Sequence, residues 1–392
     1  MSDDRLRLIQ TLQFRDKTRA ETLLLAFINE IFPTLDVEQV ELRPQAVSLN
    51  SFNGFLTLQS GAQLFFKTHV EPQSVISEYY NSDVLAEAGY PIVRPLYAST
   101  EYGRQLLIYD LVHAPSVFEV ARALERGERG DFQALMKAQN DADDYLSQIY
   151  HQTLAWVSGE DAAGAPIHQL FYHRLGSRYS TFYEEKPFTL PGERSLPWEV
   201  ILERRWIING VRYEGTLGDA IVRARTLLQP ARQGWTIIGH GDAHNGNVFF
   251  TPEGLRYFDP AFGGRHSPWL DLAKPLFHNV SATWMYHPHE IASKLQLSFH
   301  DDGSTFTIEH DYQPSTVRQM FKTSKIERVY KPLIEHLTTV DKTPRAYYDD
   351  VLSAALMCCP LLTMNLADRE RFPAEIGLLG LVMCVQVGML AE

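Results

Sequence analysis

The sequence predicts an α+β fold in two lobes, a small antiparallel-sheet lobe over residues 1–112 and a large, mainly helical lobe over residues 113–392. Three observations predict it. The front of the chain mixes helical periodicity with short runs of β-forming residues, whereas from about Ser116 helical spacing dominates. The length, 392 residues, is more than one small domain needs, at about 100 to 200 residues per domain. The composition, 45% apolar and 21% charged, is that of an ordinary folded chain with no repeat or low-complexity tract.

The elements follow in order. ETLLLAFINEI, within Lys17 to Ile31, spaces its polar residues as a helix does. SLNSFNGFLTLQSGAQLFFKTHV reads as two strands joined by a Ser-Gly turn, and SVISEYYNSDVLAEAGYPIVRPLYAS as an amphipathic helix stopped at Gly89 and Pro91. RQLLIYDLV is a further strand. Helices are expected near Asp131 to Ser158, Ile167 to Glu185 and Gly215 to Leu228. GWTIIGHG, NVFF and LRYFDP form a short β insert, LQLSFHDDGSTFTIEHDY a second hairpin turning at Asp-Gly, and the last 75 residues return to helix.

Charge and cysteine content narrow the function classes. Lys plus Arg is 36 against 48 Asp plus Glu, a net charge of −12 with no segregated basic patch, so neither nucleic acid nor an anionic membrane is an expected partner. That acidity leans toward a cationic small molecule. Oligomeric state is not encoded in any such pattern. Cys358, Cys359 and Cys384 fit neither a disulfide framework nor paired zinc ligands, and the N-terminus lacks an apolar signal core, so a cytoplasmic location is expected. The most apolar tract, Ile376 to Ala391, is shorter than the roughly 20 residues that span a bilayer.

The densest polar constellation is HGDAHNGNVFF, His240 to Phe250, followed by YFDPAFGG, Tyr257 to Gly264. Asp242 and Asn247 lie five residues apart and Asp259 twelve further on, across a turn at Pro252 to Gly254. Phosphoryl transfer needs such a set: a carboxylate to orient and deprotonate a hydroxyl, and oxygen ligands for magnesium at the nucleotide phosphates. Protein kinases space a catalytic Asp and a metal-binding Asn in the same way. An alternative uses His240, Asp242 and His244, which share one face of an extended segment, as zinc or iron ligands of a hydrolase. P-loop, nucleophile-elbow and zincin motifs are all missing from the sequence.

At these residues the chain resembles the aminoglycoside phosphotransferase family, small-molecule kinases with a two-lobed, protein-kinase-like fold. The resemblance implies that Asp242 is the catalytic base and that Asn247 and Asp259 hold Mg2+. It implies that Lys67, in FFKTHV, contacts the phosphates of ATP and that Glu78 is its carboxylate partner, with Glu71 and Glu87 as rivals for that role. The backbone of Asp110 and Val112, in LLIYDLV, would meet adenine, while His240 and Asp271, in WLDLAK, would brace the catalytic loop. Two departures stand out. The expected phosphate-covering segment, SLNSFNGFL, has Gly54 alone, and Pro260 follows Asp259, which biases Asp259 toward an extended backbone. The implied activity is ATP-dependent phosphorylation of a hydroxyl on a sugar, amino sugar or aminoglycoside-like alcohol. The rival is a catalytically silent kinase-like module that binds nucleotide or protein. The aromatic and Arg cluster FYHRLGSRYSTFYEE could grip a substrate, but aromatics at helical spacing are more often core, and most of it is expected to be core.

Overall fold

The structure, a computed structural model, describes residues 5–43, 51–69, 72–128 and 130–391. It is α+β and comprises two compact units, residues 1–114 with 256–263, and residues 115–255 with 264–392. The strip 256–263, expected in the helical lobe, thus belongs to the first unit.

In the first unit α1 (Arg5–Leu12) and α2 (Lys17–Ile31) precede β1 (Val37–Leu42), β2 (Ser51–Leu58) and β3 (Gln63–His69). Then come α3 (Pro72–Glu87), β4 (Tyr97–Ser99) and β5 (Leu106–Asp110). Asp16 starts α2 by accepting from Arg19 N at 3.1 Å. The strands form one antiparallel sheet in the order β1-β2-β3-β5-β4. Strand alternation decides what each face does. Leu64 and Phe66 point into a core shared with Leu24, Phe27 and Ile28 of α2, which leaves Phe65 and Lys67 on the opposite face. Gly54 lies inside β2, paired with Leu42 and Phe66, and not in a phosphate-covering loop. A Cβ there would sit 2.0 Å from the Glu41 carbonyl oxygen, so only glycine lets β1 come this close. Ser48 to Asn50, the start of the expected loop, lie outside the described residues.

The second unit is mainly helical. Asp131 caps the helix Phe132–Thr153, which ends earlier than expected because Ala155–Val157 pairs as a strand with Gly234–Thr236. Strand Gly234–Gly239 is the middle of that three-stranded sheet, and strand Gly264–His266 flanks its other side. The expected helix Ile167 to Glu185 divides into a 3-10 turn, Pro166–Leu170, and a helix, Tyr172–Phe182. The expected Asp-Gly hairpin forms, and its second strand, Thr305–His310, also runs parallel to Arg205–Ile208. A hairpin of Pro187–Leu190 with Arg194–Pro197 was not legible in the pattern. The apolar C-terminal tract is a core helix, Ala374–Gly388, packed on helix Arg345–Thr363. Among the described residues no helix is long and apolar enough to cross a membrane.

Candidate active site

In the first unit β3 and α3 bring Lys67 and Glu78 together. Lys67 Nζ lies 2.8 Å from Glu78 Oε2 and 2.7 Å from Asp259 Oδ1. Glu78 is buried, and the phenol of Tyr109 donates to its Oε1 at 2.8 Å. Burial opposes the charge on Lys67, but Asp259 and Glu78 outweigh it and raise its pKa above the usual lysine range. Burial likewise pushes Glu78 up, against the attraction of Lys67. Asp259 is the exposed member, at 39%, and so the carboxylate best placed to meet a ligand.

Asp259 has φ 58°, left-handed rather than extended, which corrects the expectation drawn from Pro260. A non-glycine residue held there stores of order 1–3 kcal/mol, so the surroundings must impose it. Asn81 of α3 does so by donating to the carbonyls of Pro260 at 3.0 Å and Ala261 at 3.3 Å. Tyr257 is fixed from the other side: Val93 N donates to its carbonyl at 2.8 Å, and its own N–H donates to the Pro91 carbonyl at 2.9 Å. These bonds hold residues 256–263 in the first unit.

In the second unit the loop leaving strand Gly234–Gly239 carries Asp242. Gly239 has no room for a side chain, since a Cβ would lie 2.5 Å from His266 Nε2 and 2.7 Å from the Asp271 carboxylate. Asp271 Oδ1 accepts from Gly241 N at 2.5 Å and meets His266 Nε2 at 3.0 Å, while Tyr150 donates to Oδ2. These bonds overcome burial and hold Asp271 at about 2. Buried His240 accepts from Asp242 N at 3.4 Å. Asn247 Nδ2 donates to the Asp242 carbonyl at 3.0 Å, which leaves the amide oxygen out of that bond. Burial would raise Asp242, but Lys274, then His244, Arg174 and His240, lower it below the usual carboxylate range. Lys274 Nζ is 3.5 Å from Asp242 Oδ1.

Some expected residues have other surroundings. Asp110 ends β5, where its carboxylate accepts from Leu111 N at 2.9 Å, and Val112 lies just beyond in the same unit. Glu87 is exposed at the end of α3, and Glu71 lies outside the described residues. His240, Asp242 and His244 do not form a metal cage: His244 Nδ1 accepts from Gly246 N at 3.1 Å, and among the described residues no three His, Cys, Asp or Glu side chains converge as ligands. Sequence reasoning missed Tyr109, Asn81 and Lys274. Tyr109 is placed by the sheet register, which pairs it with Phe65, two residues before Lys67 on the same strand face. Lys274 sits three residues after Asp271, with no pattern to mark it.

No protein-family sequence model matches the chain, and no curated protein sequence matches it. Solved structures do. The amicoumacin kinase in complex with AMP-PNP, Ca2+ and Ami is similar over 93% of this chain and 92% of that one, at 12% identity and a TM-score of 0.51. The aminoglycoside phosphotransferase APH(4)-Ia in ternary complex with AMP-PNP and hygromycin B is similar over 93% and 97%, at 10% identity and 0.49. The macrolide 2'-phosphotransferase from Brachybacterium faecium is similar over 85% and 97%, at 13% identity and 0.37. The likeness to the first of these shows the fold alone, a kinase-like α+β fold.

Proposed function

We propose that this chain transfers the γ-phosphoryl group of ATP to a hydroxyl of a small molecule. The observation that supports this most is the Lys67 ammonium, paired within 3 Å to Glu78, the Lys–Glu ion pair that kinase-type phosphoryl transfer uses, with Asp259 at the same distance. Nucleotide binding also accords with the AMP-PNP in the amicoumacin kinase of the same fold.

In this reading Lys67 binds phosphate oxygens, Glu78 and Tyr109 orient Lys67, and the backbone of Asp110 and Val112 contacts adenine. The oxygens of Asp259 and Asn247 suit magnesium, which prefers oxygen ligands and, when bound, offsets the charge on the phosphates. Asp242 is ionised at neutral pH because its pKa is lowered, so it accepts the acceptor's hydroxyl as a hydrogen-bond donor. The hydroxyl oxygen forms the new bond to phosphorus, the bond to the bridging oxygen breaks, ADP leaves, and the hydroxyl proton passes to Asp242. A weakly basic carboxylate suits late proton acceptance, with orientation as its larger contribution. A cytoplasmic location accords with three free, buried cysteines.

A second reading, a silent nucleotide-binding module, is favoured by one feature: residues 43–50, which join β1 to β2, contain no glycine. ADP release, screened with sugars, amino sugars and amino alcohols in the presence of Mg2+, separates the two. Acceptor-stimulated release supports the transferase. Nucleotide binding with no release for any acceptor supports the silent module.

A further inference from the structure

Asp242 stands among cations. On helix Tyr172–Phe182, Arg174 and Arg178 are four residues apart and share one face. Arg178 Nη1 donates to the carbonyls of Leu362 and Thr363, both at 3.0 Å, at the end of helix Arg345–Thr363. Contacts run on from there to the catalytic carboxylate. Thr363 Oγ1 is 3.5 Å from His278 Nε2, that nitrogen is 3.5 Å from Lys274 Nζ, and Lys274 Nζ is 3.5 Å from Asp242 Oδ1. Tyr286 is bonded to the other ring nitrogen of His278 at 2.8 Å.

The charges along this path do not balance. Lys274 is offset by Asp242, whereas Arg178 ends on carbonyls, and Arg174 has no hydrogen bond or ion pair within the described residues. His278 adds no compensating charge: burial first, then Lys274, His244 and Arg174, hold it neutral, well below the usual histidine range. Burial, with Arg178 beside it, lowers Arg174 to about 10, so it remains charged at neutral pH. A half-buried guanidinium that has no hydrogen-bonded partner, and must share the single Asp242 carboxylate with Lys274, is unfavourable in the free protein and marks a place for an anion.

We propose that the small molecule bound beside Asp242 carries an anionic group, a carboxylate or a phosphate, anchored by the planar donor fork of Arg174 with Arg178 behind it. The proposal rests on the phosphotransferase reading for one point only, that this molecule is the acceptor. It reverses the lean that a net charge of −12 gives, because net charge does not locate charge. A cationic aminoglycoside would bring ammonium groups against Arg174 and Lys274.

The test uses the full chain with three probe sets: gluconate, galacturonate and glucose 6-phosphate; glucose and galactose; and an aminoglycoside. Binding is followed by calorimetric titration, and turnover by ADP release. The expected result is that anions bind and are preferred, with carboxylate and phosphate probes showing which group fits. Arg174→Gln should raise Kd and KM roughly 10- to 100-fold, with kcat within a few-fold. Arg174→Lys should recover part of the affinity, and the Tm of both variants should stay near that of the parent because no bond within the protein is lost. Equal acceptance of neutral or cationic probes overturns the proposal and leaves phosphoryl transfer standing, as does an unchanged Kd in Arg174→Gln or no anion binding at millimolar concentration. Anion binding that depends on Arg174, without ADP release for any acceptor, upholds the anion site and removes the transferase reading.

Discussion

In the first unit one ammonium, Lys67, faces two carboxyl groups, Glu78 and Asp259, at 2.8 and 2.7 Å; in the second, one carboxylate, Asp242, faces Lys274 at 3.5 Å on a path that leads to the guanidinium of Arg178. The first arrangement has more acid than base and suits a cation at its exposed member, Asp259. The second has more base than acid and suits an anion. The difference teaches that the same Lys–Asp pair can sit in a cluster with an excess of either sign, which the proposed metal and anion sites would use in opposite ways. It also separates tight from loose: the Lys67 contacts have the length of charge-assisted hydrogen bonds, whereas the Lys274 contact is an ion pair without that alignment.

The sharpest way to break the comparison is Asp242→Asn. The amide keeps the shape but presents a donor and accepts no proton, so phosphoryl transfer should fall by about two to four orders of magnitude with nucleotide affinity within a few-fold. Retained turnover, measured as ADP release, would remove Asp242 from the mechanism. Next is Asp259→Ala, which should abolish the rise in Tm that Mg2+ and nucleotide give together, a mass-action effect of binding to the folded state. An unchanged shift, followed by differential scanning fluorimetry, would move the metal elsewhere.

Gly54→Ala tests the first unit as a scaffold. The new methyl would meet the Glu41 backbone, and a loss of about 3 kcal/mol in unfolding free energy is expected, the upper part of the overpacking range. Weaker nucleotide binding with unchanged stability would instead restore Gly54 to a phosphate-binding role. The smallest effect concerns Asp271, held at about 2 against an ordinary 3.8. Its pKa is depressed, so its contribution of about 2 kcal/mol is fully present above pH 4 and is lost as pH falls from about 4 to 2. Asp271→Asn should therefore be less stable than the parent at neutral pH by about that amount, and the gap should close in acid. A gap that stays constant from pH 6 to 2, by urea titration, would show that shape and not charge decides this position.

The sequence by itself determined most of the elements and marked Lys67, Glu78, Asp242, Asn247 and Asp259 as candidates. Period-2 alternation in QLFFKTH and helical spacing in ETLLLAFINEI are local properties, and the Asp242-Asn247-Asp259 spacing is carried by one short stretch of chain. The hairpin at Gly61 and the helix Lys17–Ile31 were legible for that reason. What only the tertiary structure decided depends on contacts between residues distant in sequence. Lys67 and Asp259 are 192 positions apart, and Arg178 meets Leu362 and Thr363 across 184 and 185. The left-handed turn at Asp259 runs against the local bias of Pro260 and is imposed by Asn81 from another element. Gly54 looked like a phosphate-loop glycine because a loop and a crowded strand position both call for a missing side chain, and only the Glu41 carbonyl, 2.0 Å from where a Cβ would stand, tells them apart. Net charge sums over the whole chain, whereas binding is decided by the few charges that packing leaves without partners. Arg174, one cation among 36, became informative only when its neighbours, Arg178 and Asp242, were known.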